Sequence, residues 1–424
     1  MKVLGKIRDK ELFKVSSLNS ISVLIKIAVG FITSKFLAVF VGPSGMALVG
    51  NLRNFISSVE SIGLLGFQNG IIKYVAEYEH KEQQLKELLS TVVMAIFLVT
   101  VALSGFLYFF SGYLNEAIFG DEFQYQSVFK AFSLSLPWYM ASLFLTSVLN
   151  GFGAFKKVIK INIYGNLLGL VLSVVLLYNY HTFGALLAVI LAPSLLFFIV
   201  VFQLNTTVPL RTLLTKKSFN LTILKQLSQY SLMALVSSVV GPLVYLSIRT
   251  NVIHNLGYEK AGYWEAMSRI SSYYMLFLST ILVVYFLPKL SKASNTEETK
   301  AIFWTYFKGI FPVFAIGLAV LFGLKDLLIP VILTKTFLPV SDLFLGQIIG
   351  DLLKALSMIL GYQFFAKKMT KAFIVSELFS LLILWGTSNY FIAVYGIQGV
   401  VIAHALTYFI YLLVLLIYFR KSVF

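Results

Sequence analysis

The chain contains no cysteine among its 424 residues. That excludes disulfides, thiolate metal sites and a cysteine nucleophile, and says nothing about compartment. Charge is scarce too: Asp, Glu, Lys and Arg make up 12% of the sequence, with 18 acidic against 34 basic residues. No GxxxxGK[ST] segment occurs, so the chain has no P-loop with which to hydrolyse ATP. His80, His181 and His254 fall in or beside turns and far apart, which predicts no metal cluster, and His404 reads as a packed, hydrogen-bonded histidine. No polar stretch is long enough for an enzyme domain, and no cofactor is expected.

Apolar residues fill the space that charge leaves. Hydrophobic residues make up 58% of the chain and the mean hydropathy is +0.87, values of a polytopic membrane protein. The apolar runs are about 20 residues long, and backbone groups in hydrocarbon must be satisfied within their own segment, so the runs are helices. The expected fold is all-α, with about twelve transmembrane helices. They lie near 16–40, 46–72, 88–110, 128–150, 158–178, 183–203, 228–250, 260–287, 302–323, 342–364, 372–393 and 398–419. Turn chemistry marks the breaks, as at Gly42-Pro43-Ser44-Gly45 and Gly151-Phe152-Gly153.

A longer polar break near 204–226 divides the spans into two six-helix lobes, 1–210 and 211–424. Lobes of even span number share one orientation and are related by an axis along the membrane normal. Gly45 leads to Arg53 in the second span as Gly262 leads to Arg269 in the eighth. Both arginines then sit roughly 11 to 12 Å below an outer turn.

Orientation follows from the basic residues. One side collects Lys2, Lys6, Arg8, Lys10, Lys14, Lys81, Lys86, Lys156, Lys157, Arg211, Lys216, Lys217, Lys289, Lys292, Lys367, Lys368, Arg420 and Lys421; the other has little beyond Lys260, Lys325 and Lys335. Both termini are therefore expected in the cytoplasm. Much of the formal charge of +16 is topology, spread over short loops, so nucleic acid is not an expected partner. The N-terminus lacks a short apolar region with a cleavage site, and the first span is expected to be retained.

Depth separates anchors from candidates. Lys14, Lys130 and Lys308 lie near helix ends, where they snorkel. Lys26, Arg53, Arg269 and Lys354 lie deep, and Lys35 and Arg249 nearer outer ends. A cation at the bilayer centre costs about 2.5 to 3.5 kcal/mol on insertion scales, so such residues face a wet cavity, a partner or an anionic ligand. Internal pairing is the plain alternative: Asp351 with Lys354 at i, i+3, and Glu265 with Arg269 at i, i+4. Even with Glu60, Glu265, Asp351 and Glu377 all paired, positive charge remains in the membrane, which suits an anionic ligand. A cationic-drug exporter calls for the opposite balance. Tyr273 and Tyr274 beside Arg269 are candidates to line a sugar-binding cavity. Gly241-Pro242, Pro137, Pro193 and Pro312 are candidate bends.

Several segments carry a family resemblance: Leu24-Ile25-Lys26-Ile27, Lys35-Phe36-Leu37-Ala38-Val39, Asn51-Leu52-Arg53, Asn69-Gly70-Ile71-Ile72-Lys73-Tyr74-Val75-Ala76, Ser231-Leu232-Met233-Ala234-Leu235, Tyr285-Phe286-Leu287-Pro288-Lys289-Leu290-Ser291, Gly350-Asp351-Leu352-Leu353-Lys354 and Ala366-Lys367. The chain resembles the Wzx oligosaccharide-lipid flippases of the multidrug/oligosaccharidyl-lipid/polysaccharide exporter superfamily, most closely their lipid III branch. The resemblance implies two six-helix lobes around a central cationic cavity, alternating access, and undecaprenyl-pyrophosphate-linked glycan as substrate in a bacterial inner membrane. In that reading Lys26, Arg53, Arg249, Arg269 and Lys354, with Lys35, receive the pyrophosphate. Glu60, Asp351 and Glu377 then balance the empty cavity or bind a coupling proton or sodium ion. A polysaccharide polymerase and a chain-length regulator are the implied protein partners, for O-antigen, enterobacterial common antigen-like or capsule synthesis. The alternatives are a multidrug exporter of the same superfamily, a lipid II flippase, whose fourteen-span pattern fits the span count less well, and a non-transporting membrane scaffold.

Overall fold

The computed structural model describes residues 2–204 and 219–424, with side chains for all of these except 2–19, 229, 230 and 233. Arg211, Lys216, Lys217 and the expected lobe boundary at 210/211 lie outside the described residues, as does the side chain of Lys14. Among the described residues the chain is helix after helix, with no strand. Among the described residues nine helical segments are long and apolar enough to cross a membrane. Two of them, Phe155–Leu204 and Val236–Lys292, contain a break, at His181 (φ 47°) and at Gly257 (φ 87°), and each is long enough for two crossings. With Gly42–Gly63 as a further helix of crossing length, the set is consistent with about twelve spans. This is a multi-pass membrane protein. Large apolar side chains stand exposed along the helices, among them Phe97, Phe109, Val171, Phe202, Val313 and Leu382, the surface that hydrocarbon covers.

The expected second span, 46–72, is shorter than its apolar run. Its helix ends at Gly63, and a new one, Gln68–Tyr78, begins after a turn in which Leu65 and Gly66 both have positive φ. Gly66 accepts that conformation without strain, and the Ser231 hydroxyl holds the turn by donating to the carbonyl of Leu65.

The chain forms two compact units, Met1–Thr33 with Asn51–Pro242, and Ser34–Gly50 with Leu243–Phe424. In the first, Gln126–Gly151 packs against Gln68–Tyr78, Glu82–Phe109, Ser111–Phe119 and Phe155–Leu204, and buries Phe129, Phe132, Leu136 and Met140. In the second, Phe344–Ala366 packs against Gln398–Tyr418, which also packs against Thr370–Tyr395. Gly346 and Gly350 form a GxxxG face there, where an added Cβ would come within 2.7 Å of Val401 and 2.2 Å of His404. Small residues at that spacing let the two backbones approach, as is usual between membrane helices.

Among the described residues three helices carry a π-helical turn: Val236–Val240, Leu282–Phe286 and Tyr306–Ile310. Each ends two residues before a proline, at Pro242, Pro288 and Pro312. The offset has a steric cause. Proline has no N–H to bond the preceding turn and its ring clashes with the carbonyl four residues back, so a wider turn there relieves both faults. Pro137 and Pro193 remain inside α-helical segments.

Candidate functional site

In the first unit Lys26 and Arg53 are exposed and Glu60 is half-buried. Lys26 lies roughly 21 Å from the helix end at Phe40 and Arg53 roughly 16 Å from the start of Gly42–Gly63, so neither is a headgroup anchor. The charges of Lys26 and Arg53 act on one another, and that of Glu60 on Lys26. Tyr139, from Gln126–Gly151, donates its hydroxyl proton to Glu60 at 2.5 Å and fixes the carboxylate.

The second unit treats its cations differently. Arg249 and Arg269 are buried, and both grip Glu265: the Arg249 guanidinium donates at 2.7 Å and Arg269 Nε at 2.8 Å. Arg249 and Glu265 are brought together by the break at Gly257, which folds the segment back on itself. Trp264 covers the Arg249 guanidinium, 5.1 Å from its ring centre. Gly50 makes the fit possible, since a Cβ there would lie 2.4 Å from Glu265 Oε2 and 3.0 Å from Arg249 Cζ. Two guanidiniums on one carboxylate retain one positive charge, held in a rigid clamp.

Asp351 is wholly buried and does not pair with Lys354 as the i, i+3 spacing suggests. Its oxygens accept from the Ser271 hydroxyl at 2.6 Å, the Gln347 amide at 3.1 Å and the Tyr274 hydroxyl, and lie 3.0 Å from His404 Nε2. These donors come from three helices, so Asp351 pins them together. Lys354 turns instead to Tyr408, lying 5.3 Å from its ring centre, with Tyr245 and Glu377 within its electrostatic reach. The half-buried ammonium thus lies over one aromatic face, without a carboxylate in direct contact.

Lys35 donates to the carbonyls of Pro330 at 2.9 Å and of Leu333, which end the helix Lys325–Ile332. It caps a helix C-terminus, where orphan carbonyls attract a cation. Tyr273 exchanges a hydrogen bond with Ser34 at 3.0 Å, while Tyr274 serves Asp351. Among the described residues no group of three His, Asp or Glu side chains is placed to hold a metal ion.

The nominated residues thus sort into exposed cations (Lys26, Arg53), a half-buried one (Lys354), a buried clamp (Arg249, Arg269) and a helix cap (Lys35). Tyr139, Gln347, Ser271, Tyr245 and Tyr408 escaped the sequence reading because they act across helices. Only Gln347, four residues before Asp351 on one helix face, carried a local signal.

The chain is 28% identical over 403 residues to the lipid III flippase of Escherichia coli (strain K12), covering 94% of this chain and 96% of that protein. Its fold matches the inward-facing conformation of a multidrug resistance MATE family transporter of the MOP superfamily, with a TM-score of 0.81 at 13% identity over 95% of this chain and 94% of that one. It also matches the lipid II flippase MurJ in an inward closed conformation, with a TM-score of 0.75 at 17% identity over 96% and 87%. The architecture is therefore the all-α fold that these two structures share. A sequence profile for polysaccharide biosynthesis proteins matches residues 36–342, and with most of its length inside that match the chain belongs to the polysaccharide biosynthesis protein family.

Proposed function

We propose that this chain is a flippase that moves an undecaprenyl-pyrophosphate-linked oligosaccharide from the cytoplasmic to the periplasmic leaflet of a bacterial inner membrane by alternating access. The observation that carries the reading is the charge arrangement: Lys26 and Arg53 are exposed at mid-helix depth, Lys354 is half-buried, and the Arg249–Glu265–Arg269 clamp keeps a net positive charge. Exposed cations at that depth face water and an anion rather than hydrocarbon. A pyrophosphate supplies the anion while the prenyl chain stays in lipid. The likeness to a lipid III flippase over 94% of the chain supports the same substrate class.

In this reading Lys26, Arg53 and Lys354 receive the pyrophosphate, and the clamp contributes field rather than contact. Glu60, Asp351 and Glu377 offset the cations between substrates, and Glu60 and Glu377, both half-buried, are the acids placed to exchange a coupling ion. The two lobes are 1–210 and 211–424, both termini are cytoplasmic, and a polysaccharide polymerase and chain-length regulator take over the product. Sealed vesicles containing the purified protein test the assignment. A fluorescent pyrophosphate-linked glycolipid is expected to cross and a cationic dye is not. Transport of the dye alone would replace this reading with drug export.

A further inference from the structure

The bare apolar surface of the second unit does not stop at residue 323, where the ninth span is expected to end. Along Phe311–Gly323 it runs through Val313, Ile316 and Val320, and beyond that helix it goes on through Leu324, Leu327 and Val331. Steps of three and four residues keep all six on one helical face. Leu327 and Val331 are 66% and 65% exposed, as bare as Val313 at 69% and Ile316 at 65% within the span.

The backbone breaks once on the way. Leu324 (φ −99°, ψ 3°) ends the first helix, and its carbonyl accepts from the amides of Leu327 and Leu328 to begin Lys325–Ile332. Ile329, on the side of this helix away from the row, is wholly buried. The polar groups are met on the protein side as well. Lys325 donates to the Ser341 carbonyl at 3.2 Å, and the carbonyls of Pro330 and Leu333 at the end of the helix accept from Lys35.

Length sets the depth. Lys308, exposed and 5.1 Å from the ring centre of Trp304, marks one end of the span as an interfacial pair does. From there a straight helix brings Leu327 and Val331 to roughly 28 and 34 Å, the far edge of a hydrocarbon core about 30 Å thick.

We infer that Lys325–Ile332 lies in the membrane interface, with Leu327 and Val331 seated in lipid below the headgroups. No polar side chain interrupts the row where the span ends, so one cover serves both sides of Leu324. That cover is lipid, because the Val313 end of the row lies within a membrane-crossing helix. Bare carbonyls at a helix end are costly at a lipid boundary, and the Lys35 cap removes that cost. Asp326, exposed off the row, is left to the headgroup layer.

The lack of cysteine lets a nitroxide label be placed at one chosen position of the full-length protein. Leu327→Cys, Val331→Cys, Val313→Cys and Lys335→Cys are labelled one at a time and reconstituted into phosphatidylethanolamine–phosphatidylglycerol vesicles. All four positions are exposed, so the labels disturb no packing. Collisions with oxygen, which partitions into lipid, are compared with collisions with a water-soluble nickel chelate. Position 313 is the hydrocarbon standard and position 335 the water standard. Labels at 327 and 331 are expected to show an oxygen-to-nickel ratio several-fold above that at 335 and a depth of about 5 to 10 Å into the headgroup–acyl boundary. A ratio equal to that at 335 would put the face in water and overturn the inference. Few collisions with either reagent would mean that a second copy or another protein covers it, which would overturn the inference as well.

Discussion

Glu265 holds two buried arginines, and a carboxylate so placed cannot be removed cheaply. Breaking a buried ion pair from one side leaves an uncompensated charge, at a cost of about 3 to 5 kcal/mol. Glu265→Ala is therefore expected to lower the melting temperature of the purified protein sharply, whereas Arg53→Ala, at an exposed site, changes stability by about 0.5 kcal/mol or less and abolishes glycolipid transport. Equal melting of the two variants would mean that the clamp is not structural. Depth in the sequence picks out Arg53, and the i, i+4 spacing picks out Glu265 with Arg269. The second arginine on Glu265 is illegible there, because Arg249 reaches it only once the helix breaks at Gly257. Asp351 misleads for a similar reason: its neighbour at i, i+3 is a lysine, but Ser271, Tyr274 and His404 from two other helices satisfy it first.

At the scale of helices, apolar length and turn chemistry predict the spans well, since hydrocarbon leaves the backbone few options. Length alone misses where a helix stops inside an apolar run, as at Gly63, and it misses the π turns, which arise from proline sterics within a helix that continues. Close packing is legible only as the Gly346/Gly350 spacing, without its partner. The contact with His404 turns that spacing into a test. Gly350→Ala forces a methyl against the imidazole that touches Asp351, an overpacking worth about 1 to 3 kcal/mol, and is expected to lower the melting temperature. Gly386→Ala, with open space around its Cβ position, is the control and is expected to melt no lower than the unmodified protein. If the two melt alike, the glycine face does not set the distance between Phe344–Ala366 and Gln398–Tyr418.

For the molecule as a whole, the excess of 34 basic over 18 acidic residues serves two ends. In the proposed reading, cations at mid-helix meet an anionic substrate and cations in loops set the orientation, because Lys- and Arg-rich loops favour the cytoplasmic side. The sequence sorts the two populations by depth. The loop population makes the sharper prediction. Lys216 and Lys217 fall on the basic side and Lys260, three residues after the break at Gly257, on the sparse side. On the expected spans one crossing separates them, which puts them on opposite faces of the membrane whatever the absolute orientation. The chain has no cysteine to interfere. Lys260→Cys is therefore expected to react with an impermeant thiol reagent at the outer face of the inner membrane, and Lys216→Cys only after that membrane is opened. Labelling in the reverse order would invert the orientation while keeping the span count. Labelling of both before the membrane is opened would instead mean an even number of crossings between them and would dismantle the expected lobes 1–210 and 211–424 together with the parallel orientation assigned to them.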